Sequence, residues 1–319
     1  MSGCGGGGGL PNRPDSFSLC RAVQVPLDAR TNLRFAVIPV PALAQQVIII
    51  TGASSGIGAA TARWLVKAGA RVVLSARRAE RLAALAAELD ATGERVLAVA
   101  GDVTSDLDRR RLIEATLKKF GRIDGLVNNA GYATRGPLEI VPVEAIRKNF
   151  ETNVFALIAI TQLVVPVMRA QGSGCIVNIG SVAGRIARPL SSIYDATKHA
   201  LEAITDGLRG ELQPFGIRVA LIQPGFILTE FIAAADKASD QYTDHPGPYA
   251  PFMAGFRGGY KKLRRVAGVP DDMARLIAQA LASDHPAPRY SGPIHAKIFL
   301  FLKWILPDRI MDLMLRLRR

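Results

Sequence analysis

The sequence predicts an α/β fold, a doubly wound parallel sheet in a single domain with a C-terminal helical extension. Three observations predict it. Short apolar runs alternate with helix-patterned segments without a break from Gln46 to Gly225. The first run passes directly into a glycine turn, Thr51-Gly52-Ala53-Ser54-Ser55-Gly56-Ile57-Gly58, which opens a helix. The chain has 319 residues, 49% of them hydrophobic, which suits one large core that needs no staples.

The elements follow in order. Gln46 to Ile50 is β-branched and continuously apolar, the pattern of a strand buried on both faces. The helix behind it, Ala59 to Ala68, is closed by Gly69. Glycine permits the tight turn between them and a close approach of backbone to a pyrophosphate. The free N–H groups and positive dipole end of the helix then face the phosphates. Thr51, Gly52, Ser54, Ser55, Gly56, Ile57 and Gly58 are therefore candidate cofactor contacts.

Arg71 to Ser75 reads as the second strand. A site specific for NAD usually has an acid at its end, for the ribose 2′-hydroxyl. Here Ser75-Ala76-Arg77-Arg78 offers none, and Arg77 is placed to pair with a 2′-phosphate, which predicts NADP(H). Arg95 to Ala100 is the third strand, ending at Gly101-Asp102-Val103. Asp102 either caps the helix starting near Asp106 or meets the adenine edge. Gly125 to Asn128 is the fourth, running into Asn128-Asn129-Ala130-Gly131, small and amide-bearing residues suited to a loop close under a cofactor.

A long helix is expected from Val143 to about Arg169, with Pro166 a kink point. Asn153 lies inside it among apolar neighbours, where a buried amide needs partners. Cys175 to Ile179 is the fifth strand, and Ser181 falls just beyond it, at the sheet end where ligands bind. Tyr194 and Lys198 then share a helix face, being four apart. The ammonium is expected to pull the phenol below its ordinary value near ~10, poising it to exchange a proton with a carbonyl or alcohol. Arg218 to Gln223 is the last strand read, ending at Pro224-Gly225.

Composition narrows the function. The net charge is +13, but no zinc finger or stacking-aromatic array accompanies it, so nucleic acid is not the expected partner. Cys4, Cys20 and Cys175 are odd in number and lack metal or redox spacing, which implies a reducing, cytoplasmic setting. The four histidines match no zinc pattern, and no metal is expected.

Three outlying segments complete the organisation. Residues 1–44, glycine- and proline-rich, read as a flexible extension without a secretory pattern. The catalytic domain spans 45–288 and includes an irregular, aromatic-rich lid over 226–268. The tail, 289–319, is basic and amphipathic, with Pro307 dividing two helical pieces. Its stretch 294–319 suits either a membrane surface, with peripheral attachment, or packing on the core or a second subunit.

Together these residues resemble the short-chain dehydrogenase/reductase family. The matching elements, in the family's order, are Thr51-Gly52-x-x-x-Gly56-x-Gly58, Asn128-Asn129-Ala130-Gly131, Asn153, Ser181, Tyr194-x-x-x-Lys198 and Pro224-Gly225. The resemblance implies a Rossmann fold, NADP(H), and Tyr194 as general acid/base. Lys198 would lower the Tyr194 pKa and hold the nicotinamide ribose. Ser181 would polarise the substrate carbonyl, and Asn153 would hold a water in a relay toward Lys198. It also implies cofactor contacts from Asp102, Val103, Asn129, Ala130, Gly131, Pro224, Gly225 and Thr229, and a dimer or tetramer. Asp195 departs from the family, which favours a small neutral residue there; on a helix it should point about 100° away from Tyr194 and have little effect. The stretches NNAGYATR and YDATKHA resemble the 17-beta-hydroxysteroid and retinol dehydrogenase-like branch, which acts on hydrophobic alcohols and ketones. A 3-oxoacyl-thioester reductase and a non-catalytic NADP(H) sensor are the rival readings.

Overall fold

The computed structural model describes residues 43–243, 247–251 and 267–316. Seven parallel strands form one sheet in the order β3-β2-β1-β4-β5-β6-β7. Six lie within a residue or two of the sequence reading: β1 (Val47–Thr51), β2 (Arg71–Ala76), β3 (Val96–Ala100), β4 (Gly125–Asn128), β5 (Gly174–Ile179) and β6 (Ile217–Pro224). The seventh, β7 (Arg289–Gly292), falls where the sequence reading began the tail. Its sequence, RYSG, has no β-branched residue, so local pattern gives no strand signal. Tertiary contacts make the strand: Arg289 donates to the buried Glu202 carboxylate at 2.9 Å, and Ser291 Oγ to Gln223 Oε1 at 2.7 Å.

The strands are apolar on both sides because helices cover both faces. In β1, Ile48 and Ile50 pack into one core while Val47 and Ile49 pack into the other. The first core takes its helical side chains from α1 (Gly56–Lys67), α2 (Ala79–Leu89) and the late helix Pro270–Ala282. The second takes them from α3 (Asp106–Phe120) and the helix behind β4. That helix is not the uniform one expected. It comprises α4 (Val143–Phe150), a π turn over Glu151–Phe155 and α5 (Ala156–Gln171), and it runs on past Pro166. This 29-residue stretch is apolar enough to cross a bilayer, yet Leu157, Ile160, Val164 and Met168 are buried within the fold.

Next come α6 (Ser192–Leu212) and α7 (Glu230–Thr243). α7 corrects the lid reading: a regular helix occupies what looked like the least regular stretch. Thr229 Oγ1 accepts from Phe231 N at 3.3 Å at its start, and Ala235 and Ser239, one turn apart, face inward. The lid aromatics Phe252, Phe256 and Tyr260 lie outside the described residues. The chain closes with α8 (Pro270–Ala282), α9 (Ile294–Ile305) and α10 (Asp308–Leu315), the last two split at Pro307 as expected. Leu43, assigned to the extension, is fully buried in the core, and Gln45 N donates to Gly69 O at 2.9 Å. The domain therefore takes in Leu43.

Candidate active site

The order of the strands reverses between β1 and β4, and the candidate residues gather at the carboxyl ends on either side. On one side stands the glycine turn. A Cβ at Gly58 would lie 2.5 Å from the Gly52 carbonyl oxygen and 2.7 Å from Asn129 Nδ2. Gly52 has φ +66°, and a Cβ there would lie 2.9 Å from Ala130 Cα. Only glycine lets the β1 turn and the β4 loop touch this closely. Thr51 Oγ1 accepts from Asn129 N and Ala130 N, both at 3.0 Å, and Asn129 Nδ2 donates to Thr51 O at 2.9 Å and Gly52 O at 3.1 Å. The Asn129 side chain thus braces the turn. Ser55 is extended and makes no side-chain cap, so the first N–H groups of α1 stay available to an anion. This cradle fits a dinucleotide.

At its outer edge stands a second arginine beside the expected one. Arg78 lies on the turn: its Nη2 donates to Ser54 Oγ and Ser55 Oγ, both at 2.8 Å. Arg77 is exposed. Its charge nevertheless reaches Tyr132, in the loop after β4. Glu230, opening α7, meets both Arg78 at 3.1 Å and Arg81 at 2.7 Å. Hydrogen bonds from Arg78 and Arg81 hold its carboxyl below the usual range. Asp102 does not cap α3; Ser105 does, accepting from Asp108 N at 3.3 Å. Asp102 Oδ1 instead takes Thr104 N at 2.9 Å and Thr104 Oγ1 at 2.8 Å, turning the chain at Val103. Gly56 faces Thr229 Cγ2, so the start of the lid rests on the cofactor turn.

On the other side of the reversal, Ser181, Tyr194 and Lys198 converge, all buried. The Ser181 hydroxyl donates to Pro224 O at 3.4 Å and, beside the Tyr194 phenol, lowers its proton affinity. It also accepts from Ala183 N at 3.1 Å. Lys198 does not tune Tyr194 as expected. Its Nζ donates to Ile179 O at 2.7 Å and lies 5.7 Å from the Tyr194 ring centroid. Burial pushes the phenol up to about 12, against the opposing pull of Arg188; Asp195 adds to the rise, while Ser181 and Arg135 lower it. Burial lowers Lys198 to about 8. Desolvation is the largest influence on both groups.

Asp195 is also less passive than expected. It is fully buried, with Oδ2 accepting from Arg188 N at 2.7 Å and Oδ1 from Arg188 Nη2 at 2.6 Å. It turns to the loop before α6, yet its charge still reaches Tyr194.

Asn153 sits in the π turn, an extra-residue geometry frequent at functional sites. Its Oδ1 accepts from Tyr132 N at 3.0 Å, and its Nδ2 donates to Tyr132 O at 2.9 Å and Thr197 Oγ1 at 3.1 Å. The amide is spent on joining the β4 loop, beside Gly131, to the Tyr194 helix. Above the phenol, the Phe231 ring lies 5.8 Å from that of Tyr194, tilted by 57°, with Ala133, Ala183 and Ala235 around it. Gly225 N donates to Gly292 O at 2.8 Å, and Phe226 N to His295 Nε2 at 2.9 Å, fixing the Pro224-Gly225 turn beside the site. Arg188, Glu230 and His295 escaped the sequence reading, which offered no motif that pairs them with Asp195, Arg78 or Phe226. A cleft of about 690 Å³ lined by Gln46, Arg71, Arg122, Asp124 and Arg218 opens at the opposite end of the sheet, away from these groups.

This sheet, cradle and triad define a nicotinamide-dependent oxidoreductase scaffold, and the short chain dehydrogenase family matches residues 46–240. The chain belongs to that family. It is 32% identical to a 3-ketodihydrosphingosine reductase of Bacteroides thetaiotaomicron, over 85% of this chain and 97% of that one. It is 31% identical to an NADPH-dependent 3-dehydrocapnine reductase of Ornithobacterium rhinotracheale, over 83% and 94%. Among solved structures, a short-chain dehydrogenase from Streptomyces avermitilis superposes with TM-score 0.69 at 33% identity, over 85% of this chain and 94% of that one. Two others carry different cofactors. A serine dehydrogenase with NADP+ has TM-score 0.68 at 26% identity, over 78% and 96%. A Burkholderia phymatum family member with NAD has TM-score 0.70 at 27% identity, over 87% and 98%.

Proposed function

We propose that the protein is an NADP(H)-dependent oxidoreductase that interconverts a hydrophobic, lipid-like carbonyl compound and its alcohol. The observation that carries this reading is the buried convergence of Ser181, Tyr194 and Lys198 beside a glycine cradle edged by Arg78. A bound nicotinamide would supply the hydride. In the reducing direction Ser181 Oγ donates to the substrate carbonyl, and the Tyr194 phenol gives its proton to the same oxygen. A phenol held up to about 12 is fully protonated at neutral pH, ready to act as that acid. Lys198, leaving Ile179 O for the nicotinamide ribose, would stabilise the phenolate left behind. Asn153 keeps α6 in register with the β4 loop; with its amide committed, a relay water would hang on its main chain.

NADP(H) preference rests on Arg78, with Ser54 beside it, as the 2′-phosphate partner. The lipid-like substrate class draws on the apolar cover over Tyr194 and on the two reductases described above, whose names denote lipid-like ketones. The test is NADPH oxidation over long-chain amino ketones, steroids, retinoids, acyl thioesters and simple aromatic carbonyls, with NADH as control. Preference for NADPH and a long-chain ketone supports the reading. NADH preference would remove the role given to Arg78, and turnover of acyl thioesters alone would replace the substrate class.

A further inference from the structure

We propose that the two C-terminal helices dock the protein on an anionic lipid bilayer. In α9, Ile294, Ile298, Phe301 and Ile305 follow at steps of four, three and four, which places them in one stripe. They are 70%, 53%, 56% and 47% exposed, and Trp304 beside them is 81% exposed. The rings of Phe301 and Trp304 lie 6.1 Å apart. The opposite side of α9 is anchored: Ala296 is fully buried and His295 holds Phe226 N. α10 continues the apolar surface with Ile310, Leu313 and Met314 exposed and Met311 buried. Leaving two such faces in water is unfavourable, and large exposed patches mark interaction sites.

Charge decides what covers them. Residues 294–319 carry Lys297, Lys303, Arg309, Arg316, Arg318 and Arg319 against only Asp308 and Asp312. Lys303 is paired with Asp308, whereas Lys297, Arg309 and Arg316 are exposed around the apolar stripe. A second copy would bring the same basic rim against itself. Anionic headgroups would neutralise it, while the apolar stripe enters the acyl boundary and Trp304 sits at headgroup level. With 12 residues, α9 is only about 18 Å long, too short to span a core of ~30 Å, so it lies in the interface plane. Through His295, the anchored side of α9 is tied to the chain just after the Pro224-Gly225 turn. The inference does not depend on which reaction the site performs.

The test is flotation of the full chain with phosphatidylcholine vesicles, with and without a third of phosphatidylglycerol, followed also by tryptophan emission. Co-flotation is expected with the anionic vesicles only, weakening as salt rises. Wild-type emission shifts to the blue on binding, and Trp304→Phe loses that shift. The pair Ile298→Asp and Phe301→Asp lowers partitioning at least about tenfold, with thermal melting and light-scattering mass unchanged. Should that pair misfold, Lys297→Glu with Arg309→Glu provides the second variant, expected to lose the preference for anionic lipid. The proposal is overturned if wild type ignores anionic vesicles, or if both pairs float as wild type does. It is equally overturned if the apolar pair lowers the oligomeric mass without affecting flotation, which would assign the face to a second copy.

Discussion

Tyr194 is governed at the residue scale by burial and three neighbouring charges, more than by the lysine one turn away. If it is the proton donor, Tyr194→Phe lowers kcat for ketone reduction by about 10²–10⁴-fold while thermal melting is unchanged. Stopped-flow NADPH oxidation reads the first and calorimetry the second. Lys198 yields a pH signature. Its pKa is about 8 in the folded protein against 10.5 ordinarily. Below pH 8 both states hold the proton. Between 8 and 10 the unfolded chain holds more, so stability should rise with pH there, by about 2 kcal/mol relative to Lys198→Met. Above pH 10 Tyr194 acts oppositely, since the folded phenol keeps the proton that the unfolded one loses. Urea unfolding of the cofactor-free protein across this range checks both signs. The Asp195–Arg188 pair supplies a third expectation. Arg188→Met strands a fully buried carboxylate, and melting should report a loss of about 2–3 kcal/mol, toward the low end because the guanidinium side chain is 31% exposed. Its removal also raises the Tyr194 pKa, which should shift the alkaline limb of kcat upward.

At the scale of elements, what matters is how α2 and α7 meet over the glycine turn. Glu230 sits where a phosphate would compete for Arg78 and Arg81. Glu230→Gln should lower the KM for NADPH several-fold and leave that for NADH unchanged. Arg78→Ala should raise the KM for NADPH about 10- to 100-fold, the range for a charge-assisted hydrogen bond. Steady-state kinetics with both cofactors tests the pair, and equal effects on NADH would sink the assignment. The turn itself was legible in the sequence, because strand, glycines and helix are contiguous and each glycine answers a local steric demand. The contact of Arg78 with Ser54 and Ser55 was not, since it depends on the path of a loop after β2. Nor was the π turn at Asn153, although a polar residue among apolar helical neighbours was a sign of something unusual. The helix α7 was hidden by Pro246, Gly247 and Pro248, which follow it closely and made the whole segment read as irregular.

Across the whole molecule, the sheet separates two packed cores and leaves the chemistry at one edge, with α7 joining the cofactor side to the substrate side. Thr229 rests on Gly56 at one end of that link, and Phe231 rests on Tyr194 further along. Tyr194 is only 9% exposed beneath this cover, so a substrate must displace part of it. Phe231→Ala should therefore change the KM for long apolar ketones more than that for small ones, and a matched chain-length series reads the difference.

The sequence alone determined the order of β1 to β6, the parallel doubly wound class and the gathering of Ser181, Tyr194 and Lys198 at one end of the sheet. Those rest on local periodicity and on residues at short, rigid spacings. Only the tertiary structure decided that burial raises the phenol's proton affinity, that Arg78 edges the cradle, and that RYSG is a strand. Each of these depends on which distant surfaces meet: how much water the packed lid and sheet exclude from Tyr194, where the α2 loop returns, and which side chains of α6 and β6 receive Arg289 and Ser291. Desolvation and long-range pairing leave no fixed interval along the chain.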